Sequence, residues 1–429
     1  MRRYLLRLLI LACLALTFAA ARGAAPPVTV RVWLPGFGPY RDAIIRDFQA
    51  EYPDLRLNLV CQAPETFQRR LLEAVVTHTA PDLSLVEFSG LGALVGAGAS
   101  EPLDRYLADM RDAAALNPLL PRMLVHDGKV HGLPVTGHPL ALYIRQDWLA
   151  RLGLKAPATW DEFALVAEAF TKKDPDGNGK HDTYGLAERW PSADPSTATR
   201  LLPWLYQGGG AVATNAAGKW EPGFGLAAGI KALKLRRRLW EAGCIAPGAP
   251  MHDAAHTLAL FTSGRAGMLI EDDRRLAAVR QALGANAAVA PLPRDIKAST
   301  VGDGLCFVLS SRSNHKAAAF TFVQWWVSRA AQQKLILGWD GKPGGTGPAA
   351  GALVLGPRQD LDPAALLGEP LLAGFVKSFP LMAPEPYCPN YAQLRFVVAA
   401  AVSAAMGPEK TVEEALAAGM KEAGVLLGK

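Results

Sequence analysis

The residues with the most specific chemistry in this chain lie in the run Asp-Pro-Asp-Gly-Asn-Gly-Lys-His-Asp-Thr-Tyr-Gly at 174–185. Side-chain oxygens stand at loop positions 1, 3, 5 and 9 (Asp174, Asp176, Asn178 and Asp182), with a glycine at 6 and the main-chain carbonyl of Lys180 at 7. A hard cation such as Ca²⁺ draws several oxygens from one tight turn at this spacing. Gly185 stands where a bidentate acid would close the loop, so the run also reads as a metal-free turn rich in Asp, Asn and Gly. The expectation is a structural Ca²⁺ at most, with no cofactor required.

No catalytic constellation accompanies this loop. H-E-x-x-H, G-x-S-x-G, Walker A and C-x-x-C are all missing. His252 and His256 stand four apart, but no acid occupies the H-E-x-x-H position between them. GLGALVGAG at 90–98 lacks the spacing and the lysine of a phosphate loop and reads as a small-residue packing helix. Cys61, Cys244, Cys306 and Cys388 are too widely spaced for a zinc site, and any disulfides among them could pair in three ways. A binding protein is therefore expected, not an enzyme. The rival class is a polysaccharide-cleaving enzyme, which needs two carboxylates about 5–10 Å apart across a cleft; Glu87 and Asp272 are a candidate pair.

The 429 residues are half hydrophobic and one-fifth charged, which describes a globular chain long enough for more than one core. Residues 1–23 read as a signal peptide: Met1-Arg2-Arg3, an apolar stretch at 5–18, then Ala19-Ala20-Ala21 or Ala21-Arg22-Gly23 for cleavage. The apolar stretch is short of the roughly 20 residues that span a bilayer. Ile10-Leu11-Ala12-Cys13 gives a second reading, a lipid anchor at Cys13. Without Arg2, Arg3 and Arg7, 42 basic residues of the original 45 face 39 acidic ones. That surplus is too small to imply a nucleic-acid partner.

Strand and helix patterns alternate after the signal. Strands are expected at 28–34, 55–60 and 83–86, with helices at 39–52 and 65–77 between them. Such a β-α-β-α-β run needs parallel strands, and ligands bind beyond the carboxyl ends of strands in open sheets of this kind. Trp33 and Glu87 stand at two of those ends. At 128–170 two apolar runs flank the break Gly137-His138-Pro139, and Thr159 with Glu162 then forms a capping box for a new helix. The chain leaves one folded unit here and begins another. Further on, Trp190, Trp204, Tyr206 and Trp220 offer flat aromatic faces to sugar rings, residues 230–240 form a helix with a solvated basic face, and 316–337 form a long helix.

Several of these segments share a resemblance. G-K-V-H-G-L-P-V (128–135), L-A-L-Y-I-R-Q-D (140–147), P-A-T-W-D-E-F (157–163), F-T-S-G-R-A-G-M-L-I (261–270) and T-V-E-E-A-L (411–416) resemble, in order, the pattern of extracellular solute-binding proteins, family 1, of the maltose-binding kind. The resemblance implies a periplasmic-binding-protein-like (class II) α/β fold: two lobes, each a mixed, mainly parallel sheet flanked by helices, joined by a three-segment hinge. Lobe 1 would comprise 25–136 and 293–342, and lobe 2 would comprise 137–292 and 343–429, with the third crossing at 339–345. The chain would be a monomeric, periplasmic substrate-binding subunit of an ABC importer that closes on a sugar or oligosaccharide and delivers it to membrane permease subunits. Trp33, Glu87, His138, Trp204, Arg274, Trp339, Tyr391 and Arg395 would line the cleft. Asp272, Asp273 and Arg274 replace the aromatic usual after residues 261–270. That departure points to a more polar or partly anionic solute, such as a polyol phosphate, because arginine recognises carboxylate and phosphate bidentately.

Overall fold

The computed structural model describes residues 27–37, 40–118, 121–216, 218–338, 355–385, 388 and 390–428. The signal segment with Cys13, Trp339 and the expected third crossing at 339–345 lie outside the described residues. The strands, in chain order, are β1 (Val28–Pro35), β2 (Leu55–Gln62), β3 (Leu83–Glu87), β4 (Val125–His126), β5 (Lys129–Val130), β6 (Leu133–Pro139), β7 (Ala141–Arg145), β8 (Tyr184–Ala187), β9 (Ala213–Ala216), β10 (Lys219–Pro222), β11 (Ala266–Glu271), β12 (Ala287–Ala290), β13 (Thr300–Leu309) and β14 (Met382–Ala383).

β1 alternates: Val30, Val32 and Leu34 are buried while Thr29 and Arg31 are exposed. It runs parallel to β2 from Val28↔Leu55 to Pro35↔Gln62 and parallel to β3 at Val32↔Leu83. This reproduces the expected β-α-β-α-β run, with helices Arg41–Glu51 and Pro64–Val76 as the crossovers. The first sheet has the order β14-β13-β3-β1-β2, with β6 also paired to β13. Its core joins Phe48 and Phe307 to Phe322, Trp325 and Trp326. Those last three residues lie in helix Lys316–Trp326, which ends where Ser328 caps a second helix, Arg329–Leu337. The single long helix expected at 316–337 is therefore two.

The second sheet has the order β12-β7-β11-β8. β7 is antiparallel to both β11 and β12, and only β11 with β8 is parallel, so the mainly parallel expectation fails for this lobe. The cause is the direction of entry, since β7 arrives from the hinge and wedges between two strands that run the other way. The Thr159–Glu162 capping box forms as read, at the start of helix Trp160–Lys172. Helices Ser196–Gln207, Tyr391–Met406 and Val412–Leu427 complete this core. Helix Ala227–Glu241 departs from its fully solvated basic face: Arg236 is buried and paired with Glu188 at 3.4 Å. The glycine-rich 90–98 run lies mostly in helix Phe88–Gly96.

Two crossings are visible. β6 stays in the first sheet as far as Pro139, three residues beyond Thr136, and only Leu140 separates it from β7. The return runs from β12 to β13. The 355–360 segment, assigned to the second lobe from sequence, instead bonds to the first. Pro357 O accepts from Asn117 N, Gln359 N donates to Ala115 O, and Leu355 O accepts from Thr136 Oγ1 at 3.0 Å.

β6 and β13 pack so closely that two positions exclude a side chain. A Cβ on Gly302 would stand 2.1 Å from His138 O, and one on Gly304 would stand 2.3 Å from Thr136 O. Gly304→Ala is therefore expected to cost about 1–3 kcal/mol. The check is a lower urea midpoint at an unchanged m-value.

Candidate functional site

β3 and β14 reach the same edge of β13 from opposite directions. β3 is antiparallel and its last pair sets Glu87 opposite Leu305; β14 is parallel and its last pair sets Ala383 opposite Val301. β6 and Leu140 hold the other edge, where His138 lies opposite Asp303. Glu87, at the end of β3, and Glu385, two residues past β14, therefore converge on Asp303 in the gap between them. Glu87 and Leu305 share a sheet face with Asp303, so Glu87 and Asp303 are diagonal cross-strand neighbours. Burial, reinforced by the charges of Glu87 and Glu385, pushes the Asp303 carboxyl up to about 6.

The second lobe supplies the facing wall. The turn after β11 folds on itself: Asp272 accepts from Arg274 N at 3.1 Å and from the guanidinium at 3.0 and 2.7 Å. Burial opposes the Asp272 charge, but these bonds and the Arg274 charge prevail and hold its carboxyl below the usual range. Tyr143 Oη donates to Asp272 O at 2.8 Å and fixes the turn to β7. Arg274 is thereby committed within its own turn, which removes the sequence argument for an anionic solute. Just before the turn, Glu271 is buried between Arg189 and Arg200.

Helix Ser196–Gln207 contributes Thr199, whose Oγ1 donates to Glu385 Oε1 at 3.1 Å and accepts from Arg395 Nη2 at 3.0 Å. Tyr206 Oη donates to Pro384 O at 3.1 Å. Two buried polar atoms beside them, Tyr391 Oη and Arg395 Nε, form no close hydrogen bond among the described residues. Half-buried Trp33, Tyr206 and Tyr391 give the region its aromatic faces. Trp204 does not join them. It is 3 % exposed and packs on Trp160 and Phe163, each with ring centroids 5.4 Å away. Its place on the inner side of an amphipathic helix makes it core, and Trp190 is core as well.

The structure thus places Glu87, His138, Arg274, Tyr391 and Arg395 around one region, sets Trp33 in the neighbouring strand β1, and excludes Trp204. Asp303, Glu385 and Thr199 complete the region. The resemblance implies a turn close to the ligand at Gly302-Asp303-Gly304; these residues instead lie within β13, and Glu385 follows a two-residue strand with no periodicity to announce it. Thr199 carries no signal at all.

Asp174 lies away from this region. Its carboxylate accepts from the amides of Gly177, Asn178 and Gly179 at 3.0–3.1 Å. Asn178 Nδ2 donates to Asp176 at 2.8 Å and Asp182 at 3.2 Å, so the loop's side chains do converge. The fit to Ca²⁺ is partial: Gly185 stands at the closing position in place of an acid, and among the described residues no three His, Cys, Asp or Glu side chains are already grouped to hold a metal. His256 Nδ1 bonds Asp253 at 2.9 Å, and His252 stacks on His256. The four cysteines of the described residues are free thiols.

The chain belongs to the family described as bacterial extracellular solute-binding protein, whose model matches residues 43–349. A Brucella abortus (strain 2308) chain named as a binding protein is 28% identical over 261 residues, 61% of this chain and 60% of that one. A polygalacturonan/rhamnogalacturonan-binding protein of Bacillus subtilis (strain 168) is 27% identical over 238 residues, 54% of this chain and 47% of that one. The chain therefore spans about half to three-fifths of the length of these curated relatives. Among solved structures, the sugar-binding protein MalE of Xanthomonas citri has a TM-score of 0.78 at 17% identity, covering 94% of this chain and 98% of that one. The cyclic α-maltosyl-1,6-maltose binding protein of Arthrobacter globiformis has a TM-score of 0.75 at 20% identity, covering 94% and 99%. These likenesses establish the MalE-like α/β fold expected from the sequence.

His138 carries the prediction of this section. Its Nδ1 lies 2.7 Å from Asp273 Oδ1, both side chains nearly buried. Burial disfavours the imidazolium, but the hydrogen bond and charge of Asp273 outweigh it and raise the His138 pKa. A raised folded pKa gives stability that is complete below the unfolded value, about 6.5, and is lost as pH rises through the folded one. The stability difference between wild type and His138→Gln should therefore shrink as pH rises from 5.5 to 8.5 (assay values, roughly one unit or more either side of that reference). Urea unfolding at several pH values measures it, and a pH-independent difference would count against the pair.

Proposed function

We propose that this chain is the substrate-binding subunit of an ABC importer, which captures a sugar or oligosaccharide between its two lobes and delivers it to a membrane permease. The observation that carries the reading is the meeting of opposed polar walls at the hinge: Glu87 and Asp303 from the first sheet, and Arg274, Thr199, Tyr391 and Arg395 from the second lobe. Hydroxyl-rich ligands need such a mixture of acceptors, donors and aromatic faces. A ligand that touches both walls stabilises the closed arrangement by its differential affinity for it. Family membership and the names of the relatives support the same class. The polyol-phosphate alternative loses its main support with Arg274 bound to Asp272.

The protein would act without turnover, as a monomer, outside the cytoplasm after removal of residues 1–23, or held there by a lipid at Cys13. No helix among the described residues is long and apolar enough to cross a membrane. Calorimetric titration of ligand-free protein with mono- and oligosaccharides and polyol phosphates should give one-to-one binding with one sugar class. Solution scattering should show a smaller radius of gyration on saturation. Chromatography of the mixture should reveal no new product. Product formation would favour the enzyme reading, since Asp303 and Glu87 have the unlike environments of an acid–base pair.

We also propose that Asp174, Asp176, Asn178, Asp182 and the Lys180 carbonyl hold a structural Ca²⁺. The bridging of Asp176 and Asp182 by Asn178 Nδ2 supports this. Ca²⁺ added to chelator-treated protein should raise the melting temperature by a few degrees. An unchanged melting curve would remove the site.

A further inference from the structure

We propose that the captured solute carries a protonated amine, as an amino sugar does, and that Glu87 and Asp303 receive it. This rests on the carbohydrate reading above and narrows it.

The argument is a charge census of the region where the strand ends meet. Each second-lobe carboxylate has a cation or a bridge to one. Asp272 is held by Arg274 at 2.7 Å, Asp273 lies 2.7 Å from His138 Nδ1, and Glu385 is linked to Arg395 through Thr199 Oγ1 at 3.1 and 3.0 Å. The first-lobe acids are different. Asp303 accepts one hydrogen bond, from the neighbouring Gly304 N at 2.8 Å, and forms no ion pair among the described residues; the charge of Arg274 acts on it, but more weakly than burial and Glu87 do. Glu87 is exposed and enters no hydrogen bond or ion pair among the described residues. The strand registers nonetheless force these two carboxylates onto one sheet face as diagonal neighbours, with Glu385 brought up from the other side. Like charges held together and only partly offset by Arg274 cost free energy that a cation recovers.

Two features favour an organic ammonium group over a bare metal ion. Among the described residues, no three His, Cys, Asp or Glu side chains are grouped to hold a metal. Beside the acids lie groups that suit the rest of a hydroxylated molecule. Among the described residues the buried Tyr391 hydroxyl and Arg395 Nε form no close hydrogen bond, with Glu385 the nearest influence on the hydroxyl, and Trp33 and Tyr391 offer half-buried rings. An ammonium donates up to three hydrogen bonds, and Glu87, at the end of β3, and Asp303, within β13, offer two acceptors as diagonal neighbours. The upward push on Asp303 is the penalty expected of an acid that waits for such a charge.

The test is calorimetry at pH 7.5 with glucosamine and galactosamine oligosaccharides, their N-acetylated forms, and the corresponding neutral oligosaccharides (an assay value about one unit above the histidine reference and below that of most amines). Acetylation removes the charge and leaves the ring. The proposal predicts that an amine-bearing sugar binds at least tenfold more tightly than its N-acetylated and neutral counterparts. It also predicts that Glu87→Gln and Asp303→Asn each reduce that preference several-fold. Equal or tighter one-to-one binding of a neutral or N-acetylated sugar would overturn the amine while leaving sugar capture intact. A tenfold preference that persists in both variants would overturn the assignment to Glu87 and Asp303. Binding of none of the sugars by folded protein would overturn both this proposal and the carbohydrate reading.

Discussion

The structure depends on one close approach, that of β13 to β6. β13 is the strand through which the first lobe is closed, because it joins β6 on one edge to β3 and β14 on the other. Gly302 and Gly304 permit the approach, since any Cβ there would collide with the carbonyls of His138 and Thr136. The same contact fixes three other features. It places Asp303 opposite His138, it brings the ends of β3 and β14 to one point, and it sets the exit of β6 into the second lobe.

The electrostatics of the region follow from that geometry. Strand ends bring carboxylates from positions 87, 303 and 385 together, although nothing nearby in sequence connects them. The second lobe has its own internal neutralisation: Glu271 between Arg189 and Arg200, Asp272 with Arg274, and Glu188 with Arg236. Buried pairs of this kind are costly to break, because removal of one partner strands the other charge. They therefore hold the turn after β11 in one arrangement and leave its arginine little freedom.

Much of the fold was legible in the sequence because hydrophobic period and capping are local properties. The β1–β3 run, the capping box at Thr159, and the bend at 137–139 all needed only neighbours to be read. The site was legible to the extent that it sits at strand ends, as Glu87 does. Misreadings arose where a distant partner decides a residue's role. Trp204 has the look of a sugar platform, but Trp160 and Phe163 claim it for the core. Arg274 has the chemistry to bind an anion, but Asp272, two residues away, occupies it. Arg236 lies on a basic helix, and only the fold reveals Glu188 waiting beneath. Asp303 and Glu385 acquire meaning from strand registers, which no single stretch of sequence discloses.

The passage from β6 to β7 through Leu140 alone also governs the order in which the protein can be assembled. β6 is made early, but its partner β13 follows only after every strand of the second sheet has been synthesised. Closing that loop brings no reward until the late strand arrives, and topologies dominated by such distant pairings fold slowly. β6 therefore waits for its partner until the strands of the second sheet have all been made. Through that interval the β13-facing edge of β6 is an unpaired strand edge, open to pairing with any other extended chain.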